Sequence, residues 1–160
     1  MDVVADTDIF STFAKVKKLG LLPRLFPKSC ILICPSVNLE IKKGVDLGLL
    51  RYSHPPNFIE IKLGTREREA AREFREDRNL GSGDAECLAV ARNRKCLLLT
   101  NDRKAEKTAD SLSIDHLNLP LLLRELWRSH VMPKSRVMKL MDEIEGKDNV
   151  VIKNIELIFK

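Results

Sequence analysis

The sequence predicts a single α/β domain built on a parallel sheet, and three observations lead to this prediction. Its 160 residues suit one compact domain. Short apolar runs alternate with segments of helical periodicity, as expected of parallel strands joined by helices. Four acidic residues lie at, or one helical turn beyond, the carboxyl ends of apolar runs. Open parallel sheets build their functional sites at that edge.

The predicted elements follow one another in order along the chain. Short apolar runs predict strands at residues 3–5, 31–34, 58–61 and 96–100, and a fifth short strand is expected at residues 113–116. The helices are predicted by apolar residues at helical spacing or by favourable starts. They cover residues 7–18, a segment from 36 to Gly44 or Gly48, residues 65–79, the segment opened by 81–83, the segment from 103, and two segments after 119. Ser36 is a candidate N-cap, and residues 54–57, His54-Pro55-Pro56-Asn57, form a loop.

Two segments have distinctive patterns. Residues 65–79 interleave Arg and Glu so that their charges nearly cancel, which predicts a solvent-exposed helix. Apolar residues alternate from Val150 to Phe159, which predicts a strand that pairs with an edge of this chain or of a second copy. We therefore expect a domain over residues 1–145 and a strand-like extension of it over 146–160.

Composition excludes several classes of protein. The longest apolar stretches are far shorter than the roughly 18 residues that cross a bilayer, and Met1-Asp2 begins no secretory signal, so we expect a cytoplasmic protein without a membrane partner. Cys30 and Cys34 lie about 13 Å apart if they share a strand, too far for a disulfide. No pair of Cys or His has zinc-ligand spacing, and His54, His116 and His130 are expected in loops or at the surface.

The formal net charge of +5 favours a polyanionic partner, because several acids are expected in one cleft and the remaining surface is then more basic. A basic stretch follows the first acidic motif, at Lys15, Lys17, Lys18, Arg24 and Lys28. Arg103 and Lys104 follow the last acidic motif. These cations could steer phosphates towards the cleft, or they could simply be the solvated face of a helix.

Asp6, Glu40, Asp84 and Asp102 are the candidate site residues. If the fold brings them together, each pair of carboxylates about 5 Å apart would repel by roughly 3 kcal/mol at an effective dielectric of 20. A bound cation would offset this repulsion, and carboxylate oxygens are the ligands that Mg²⁺ and Mn²⁺ prefer. Two such ions can activate a water and stabilise a leaving oxygen at a phosphodiester. Hydrolysis of a nucleic-acid backbone is the predicted chemistry.

Four segments carry a resemblance to the PIN-domain ribonucleases. Val3-Val4-Ala5-Asp6-Thr7 resembles the family's first strand and metal-binding Asp, and Pro35-Ser36-Val37-Asn38-Leu39-Glu40-Ile41 resembles the segment with its Glu. Gly83-Asp84-Ala85-Glu86-Cys87-Leu88-Ala89-Val90-Ala91 is similar to the third motif, and Leu98-Leu99-Thr100-Asn101-Asp102 to the last. The step from Asp84 to Asp102 also fits the family's spacing of a helix followed by a strand.

This resemblance implies a three-layer α/β/α sandwich with a central parallel sheet and a metal-dependent endoribonuclease activity. Asp6, Glu40, Asp84 and Asp102 would be the catalytic residues that hold Mg²⁺ or Mn²⁺, with Thr7, Thr100 and Glu86 in support. The implied partners are RNA, a second copy of the chain and, in toxin–antitoxin pairs, an antitoxin protein. The acidic third motif is similar to an archaeal branch whose members are less clearly toxins.

Two other interpretations remain at this stage. Asp6-Thr7-Asp8 after an apolar strand also resembles the nucleophile and acid of haloacid dehalogenase-type phosphatases, although Phe10 departs from that motif and Glu40 would have no role. Alternatively, the chain has a PIN fold with intact acids and acts as a non-catalytic RNA-binding or assembly module.

Overall fold

Five parallel strands form the central sheet of the computed structural model, which describes residues 1–53 and 55–160. Their order across the sheet is β3-β2-β1-β4-β5. The strands are β1 (Val3–Ala5), β2 (Ile31–Ile33), β3 (Phe58–Glu60), β4 (Leu97–Leu99) and β5 (His116–Leu117). The predicted parallel sheet is therefore confirmed, whereas His54 of the predicted loop lies outside the described residues.

Helices connect the strands and cover the sheet. In chain order they are α1 (Thr7–Lys15), α2 (Leu21–Leu25), α3 (Pro35–Asp46), α4 (Thr65–Arg78), α5 (Ser82–Arg94), α6 (Arg103–Ser111), α7 (Leu119–Arg128), α8 (Lys134–Asp148) and α9 (Ile155–Ile158). None of the helices in the described part of the chain combines the length and apolarity needed to cross a bilayer.

The core lies on both faces of the sheet. All residues of β1 and β2 are buried, and α5 packs directly on β1 and β4. α1 packs against α3 and α8, whereas α5 packs against α4 and α6. Continuously apolar strands are required where helices cover both faces of a parallel sheet. The three-layer α/β/α sandwich implied by the resemblance is confirmed.

The predicted C-terminal strand is wrong. The segment after α8 contains α9 instead, and Asn149 and Asn154 take left-handed φ values of 53° and 59°, which interrupt extended backbone. The indole Nε1–H of Trp127 donates a 2.6 Å hydrogen bond to the carbonyl of Ile158, whose side chain is buried. The segment therefore covers α7 rather than extending a sheet edge.

Two local predictions are also corrected. Cys34 is the N-cap of α3 and Pro35 is its first residue, so Ser36 lies inside the first turn and donates both its N–H and its hydroxyl to Glu86. Pro is favoured at that first position because its missing N–H would have no helical partner. The charged helix α4 is not simply exposed, since Ala71 and Phe74 are buried.

Glu67 explains why α4 is anchored. Its side chain is only 2% exposed, and it accepts hydrogen bonds from Nε of Arg94 at 2.8 Å and from the N–H of Gly64 at 2.8 Å. Burial opposes the charge of this carboxylate, but the hydrogen bonds from Arg94, Gly64 and Asn93 outweigh it and lower its pKa. Helix α4 is thereby tied to the end of α5.

We expect Arg94→Ala to lower the free energy of unfolding by about 2 kcal/mol at neutral pH, because it leaves a buried carboxylate without its cation. This is below the usual cost of breaking a buried pair because Arg94 is 35% exposed. The lowered pKa stabilises the fold above the ordinary value of 4.5, and this contribution is lost as the pH falls. Urea unfolding at several pH values measures this contribution to the free energy of unfolding. Arg92→Ala, at an exposed position of α5, is the control, and an equal loss of stability in the two variants would contradict the stabilising role of Arg94.

Candidate functional site

The site lies where the direction of the chain across the sheet reverses. β1 pairs with β2 on one side and with β4 on the other, so the chain leaves β1 in one direction and later returns on its other side. The carboxyl ends of the strands flanking such a reversal leave a crevice in open α/β sheets. Asp6 follows β1 directly, and Asp102 lies three residues after Leu99 ends β4. The fold therefore brings these two acids to one crevice.

Asp6 is held rigidly at the end of β1. Its side chain is 1% exposed, its Oδ1 accepts the N–H of Ile9 at 2.8 Å, and its Oδ2 accepts the hydroxyl of Thr100 at 2.6 Å. Burial raises the pKa of Asp6 to about 7, against the effect of these two hydrogen bonds, and the charges of Asp8 and Asp84 raise it further. Asp6 is therefore the N-cap of α1 and also a member of a mutually repelling group of acids.

Asp84 lies in the first turn of α5, close to the other acids. Burial raises its pKa to about 6, and the charges of Asp102, Asp8 and Glu40 add to this shift. Burial likewise raises the pKa of Asp8, with contributions from Asp102, Asp148 and Glu40 that Lys15 opposes. The charges of Asp6, Asp8, Glu40, Asp84 and Asp102 thus act on one another around this end of the sheet.

Glu40 reaches this region because residue 83 is glycine. A Cβ atom at Gly83 would lie 2.9 Å from Oε1 of Glu40, closer than real contacts allow. The missing side chain lets the carboxylate of α3 lie against the first turn of α5. A small cleft of about 80 Å³ lies here, and it is lined by Thr7, Asp8, Glu40, Gly81, Gly83 and Asp84.

Thr100 joins the two acids that follow β1 and β4. It is fully buried, donates its hydroxyl to Asp6, and accepts the N–H of Asp102 at 3.2 Å. Asp102 is the N-cap of α6, where its Oδ2 accepts the N–H of Ala105 at 2.9 Å. Thr100 therefore orients the carboxylate of Asp6 and holds the backbone at Asp102, whereas Thr7 lines the cleft without a comparable bond in the described residues.

Glu86 does not join the cleft. It accepts hydrogen bonds from the N–H and the hydroxyl of Ser36, and it thereby attaches α5 to the first turn of α3. A residue two positions from Asp84 lies about 200° around the helix, so the two side chains point apart. Glu86 supports the arrangement by fixing the helix that carries Glu40.

The sequence did not reveal that Asp148 contacts α1 near the crevice. Its side chain is 8% exposed, accepts the hydroxyl of Thr12 at 2.5 Å, and forms a 2.7 Å ion pair with Lys15. Its charge acts on Asp8. Nothing local marks this residue, because it lies at the end of α8 and meets α1 only through the tertiary fold. Asp8, in contrast, is visible as the second acid of Asp6-Thr7-Asp8.

The acids are near one another without forming a closed set of ligands. Across residues 1–53 and 55–160, no three His, Cys, Asp or Glu side chains stand as a group that could hold a metal ion. Asp6 and Asp102 each direct one oxygen to a helix N-terminus. Carboxylates that repel one another also gain by staying apart. The arrangement is a negatively charged crevice whose members would have to move closer to share one ion.

Comparisons with known proteins identify the fold. The family model described as "DUF3368: PIN domain" matches residues 2–155. VapBC2 from Rickettsia felis, solved bound to a DNA fragment from its promoter, gives a TM-score of 0.50 at 15% identity over 74% of this chain and 98% of that one. PAE2754 from Pyrobaculum aerophilum gives a TM-score of 0.50 at 17% identity, over 78% of this chain and 96% of that one. No curated protein matches.

We expect Asp84→Asn to stabilise the metal-free protein increasingly as the pH rises from about 4 to about 8. An acid whose pKa is raised on folding favours the folded state below its ordinary value of 3.8, and this contribution is lost as the pH rises through its folded value of about 6. The amide removes that charge and its repulsion of Asp6 and Asp8.

Urea unfolding in EDTA at several pH values measures the difference between variant and parent. Asp77→Asn removes an exposed carboxylate of α4 and is the matched control. A difference for Asp84→Asn that does not change with pH would contradict the repulsion inferred for the crevice.

Proposed function

The chain belongs to the PIN-domain family, and on that premise we propose that it is a metal-dependent endoribonuclease. The single observation that carries the proposal is the group of acids around the cleft: Asp8, Glu40 and Asp84 line it, Asp6 and Asp102 follow the neighbouring strands, and burial together with the nearby carboxylates raises the pKa of Asp6 and of Asp84. The proposed cofactor is Mg²⁺ or Mn²⁺, and the proposed substrate is single-stranded or loop RNA.

The donor set fits a hard divalent cation. It contains carboxylates only, which suit Mg²⁺ or Mn²⁺ better than softer metals. The cleft of about 80 Å³ has room for an ion with one or two waters, since a water occupies about 30 Å³ in the liquid. A cation would replace the repulsion among the acids with attraction. Asp6, Glu40, Asp84 and Asp102 would hold it after moving closer together, and Asp8 is a further candidate.

The cation would supply an acidified water and would neutralise charge at the leaving oxygen of the phosphodiester. The chain's own residues would prepare this site. Thr100 would hold the carboxylate of Asp6 in place through its 2.6 Å hydrogen bond, and Glu86 would fix the helix that carries Glu40. Arg103 and Lys104, both exposed at the start of α6, would attract the phosphates of the substrate.

The partners belong to the proposal as well. One structural neighbour, VapBC2, was solved bound to a DNA fragment from its promoter. We propose an antitoxin protein as a partner of this chain, as the resemblance to PIN-domain toxins implies. A homodimer and a cytoplasmic location are further proposals. The phosphatase alternative has no support from the family match. The non-catalytic RNA-binding alternative differs from the nuclease only in the chemical step, so cleavage distinguishes the two.

We expect the protein to cleave labelled single-stranded RNA with Mn²⁺ or Mg²⁺ and to be inactive in EDTA. Asp84→Asn should lower the rate at least about 100-fold, because it removes a charged ligand from the proposed metal site. Gel analysis of the products from an end-labelled RNA measures both effects.

Asp77→Asn is the matched control for this experiment, since it makes the same chemical change on the exposed surface of α4. Its rate should equal that of the parent, and both variants should unfold cooperatively. Absence of RNA cleavage with every divalent ion tested would support the non-catalytic alternative. Equal rates for Asp84→Asn and the parent would exclude Asp84 from the chemistry.

A further inference from the structure

A second charged surface lies at the other end of α1 from the crevice. A groove of about 570 Å³ runs between the turn joining α1 to α2 and the helix α8. Five cations line it, and Glu143 is its acidic member. The cations are Lys17, Lys18, Arg24, Arg136 and Lys139. We call this surface the basic groove.

The charge of the basic groove is not neutralised within the described part of the chain. All five cations are exposed, and the ion pairs among residues 1–53 and 55–160 involve Lys15, Arg94 and His116 instead. Arg136 and Lys139 are three residues apart on α8, so they lie on the same side of that helix. Concentrated charge of one sign attracts a polyanion and raises its local concentration.

The turn that carries the lysines is structured. The N–H of Lys17 donates to the carbonyl of Ala14 at 3.0 Å, and the N–H of Lys18 donates to that of Phe13 at 2.8 Å. Lys17 has a φ of 58°, a left-handed conformation uncommon for a residue with a side chain. Across the groove, Nη2 of Arg24 donates to the carbonyl of Val131 at 2.9 Å. The backbone therefore fixes where these cations emerge.

Helix α1 connects the basic groove to the acidic crevice. It begins beside Asp6 and ends just before Lys17, and its nine residues span about 14 Å. Asp148 lies between the two surfaces, because it contacts Thr12 and Lys15 on α1 and its charge also acts on Asp8. A nucleic-acid strand of several nucleotides is therefore long enough to extend from one surface to the other.

We propose that the basic groove binds the phosphate backbone of the RNA strand that flanks the cleaved bond. This inference rests on the proposed function, since it takes RNA to be the substrate of the crevice. The groove offers cations but no aromatic side chain on which a base could stack, so it recognises phosphates without reading sequence. RNA is favoured over an acidic protein because a single helix, α1, connects the groove to a crevice suited to phosphodiesters.

The test compares two triple variants with the same loss of charge. The groove variant combines Lys18→Gln, Arg136→Gln and Lys139→Gln. The α4 variant combines Arg66→Gln, Arg72→Gln and Arg75→Gln on the exposed side of α4. Binding of a fluorescently labelled 20-nucleotide RNA is measured by anisotropy in EDTA, where no metal-dependent cleavage occurs. Salt is varied in the same experiment.

We expect the groove variant to bind RNA at least about tenfold more weakly than the parent. The slope of the logarithm of the binding constant against the logarithm of the salt concentration should become smaller by about 2, because three cations are removed and each phosphate contact to a single strand contributes about 0.7. The α4 variant should bind within about twofold of the parent. With Mn²⁺, the groove variant should raise KM for the long RNA more than it raises KM for a trinucleotide.

Equal binding by the two triple variants, or no RNA binding by the parent, would overturn the proposal. So would displacement of the RNA by polyglutamate at concentrations equal to those of unlabelled RNA, which would identify an acidic-protein site. If the parent binds RNA through the groove but cleaves nothing with any divalent ion, the groove proposal holds and the nuclease proposal fails.

Discussion

The buried carboxylate of Asp6 is the interaction on which the arrangement of the site depends. It connects three elements at the reversal of the sheet, since it follows β1, caps α1 through the N–H of Ile9, and accepts the hydroxyl of Thr100 after β4. A charge so deeply buried is costly unless it is hydrogen bonded or neutralised. The fold satisfies its hydrogen bonds, but its pKa of about 7 shows that the charge is not balanced. A cation would complete this balance.

The surrounding acids are arranged by separate parts of the chain. Glu40 enters on α3 because Gly83 leaves space for it, and Asp84 enters on α5, whose start is attached to α3 by Glu86. Each contact is favourable locally, whereas the resulting assembly of like charges is not. Asp148 and Lys15 separate this negative region from the basic groove at the far end of α1. One helix thus connects a surface suited to a cation with a surface suited to phosphates.

Much of this organisation could be predicted from the sequence. Strands such as 97–99 are short and wholly apolar and are followed by polar residues, and the position of Asp102 just beyond this strand follows from that pattern. Residues 150–159 show where the pattern misled. Their alternation suits a strand, but Asn149 and Asn154 turn the backbone, and the indole N–H of Trp127 on α7 donates a hydrogen bond to the segment. The role of Asp148 and the buried pair of Glu67 with Arg94 depend on tertiary contacts that local periodicity does not encode.

The central claim is that the acids at the carboxyl edge of the sheet bind one or more hard divalent ions. Anomalous X-ray scattering from crystals soaked in Mn²⁺ tests it most directly. The account predicts a strong manganese peak within coordination distance, about 2.0–2.5 Å, of carboxylate oxygens from at least three of Asp6, Glu40, Asp84 and Asp102. A well-occupied manganese peak elsewhere, with no density between these carboxylates, would contradict it.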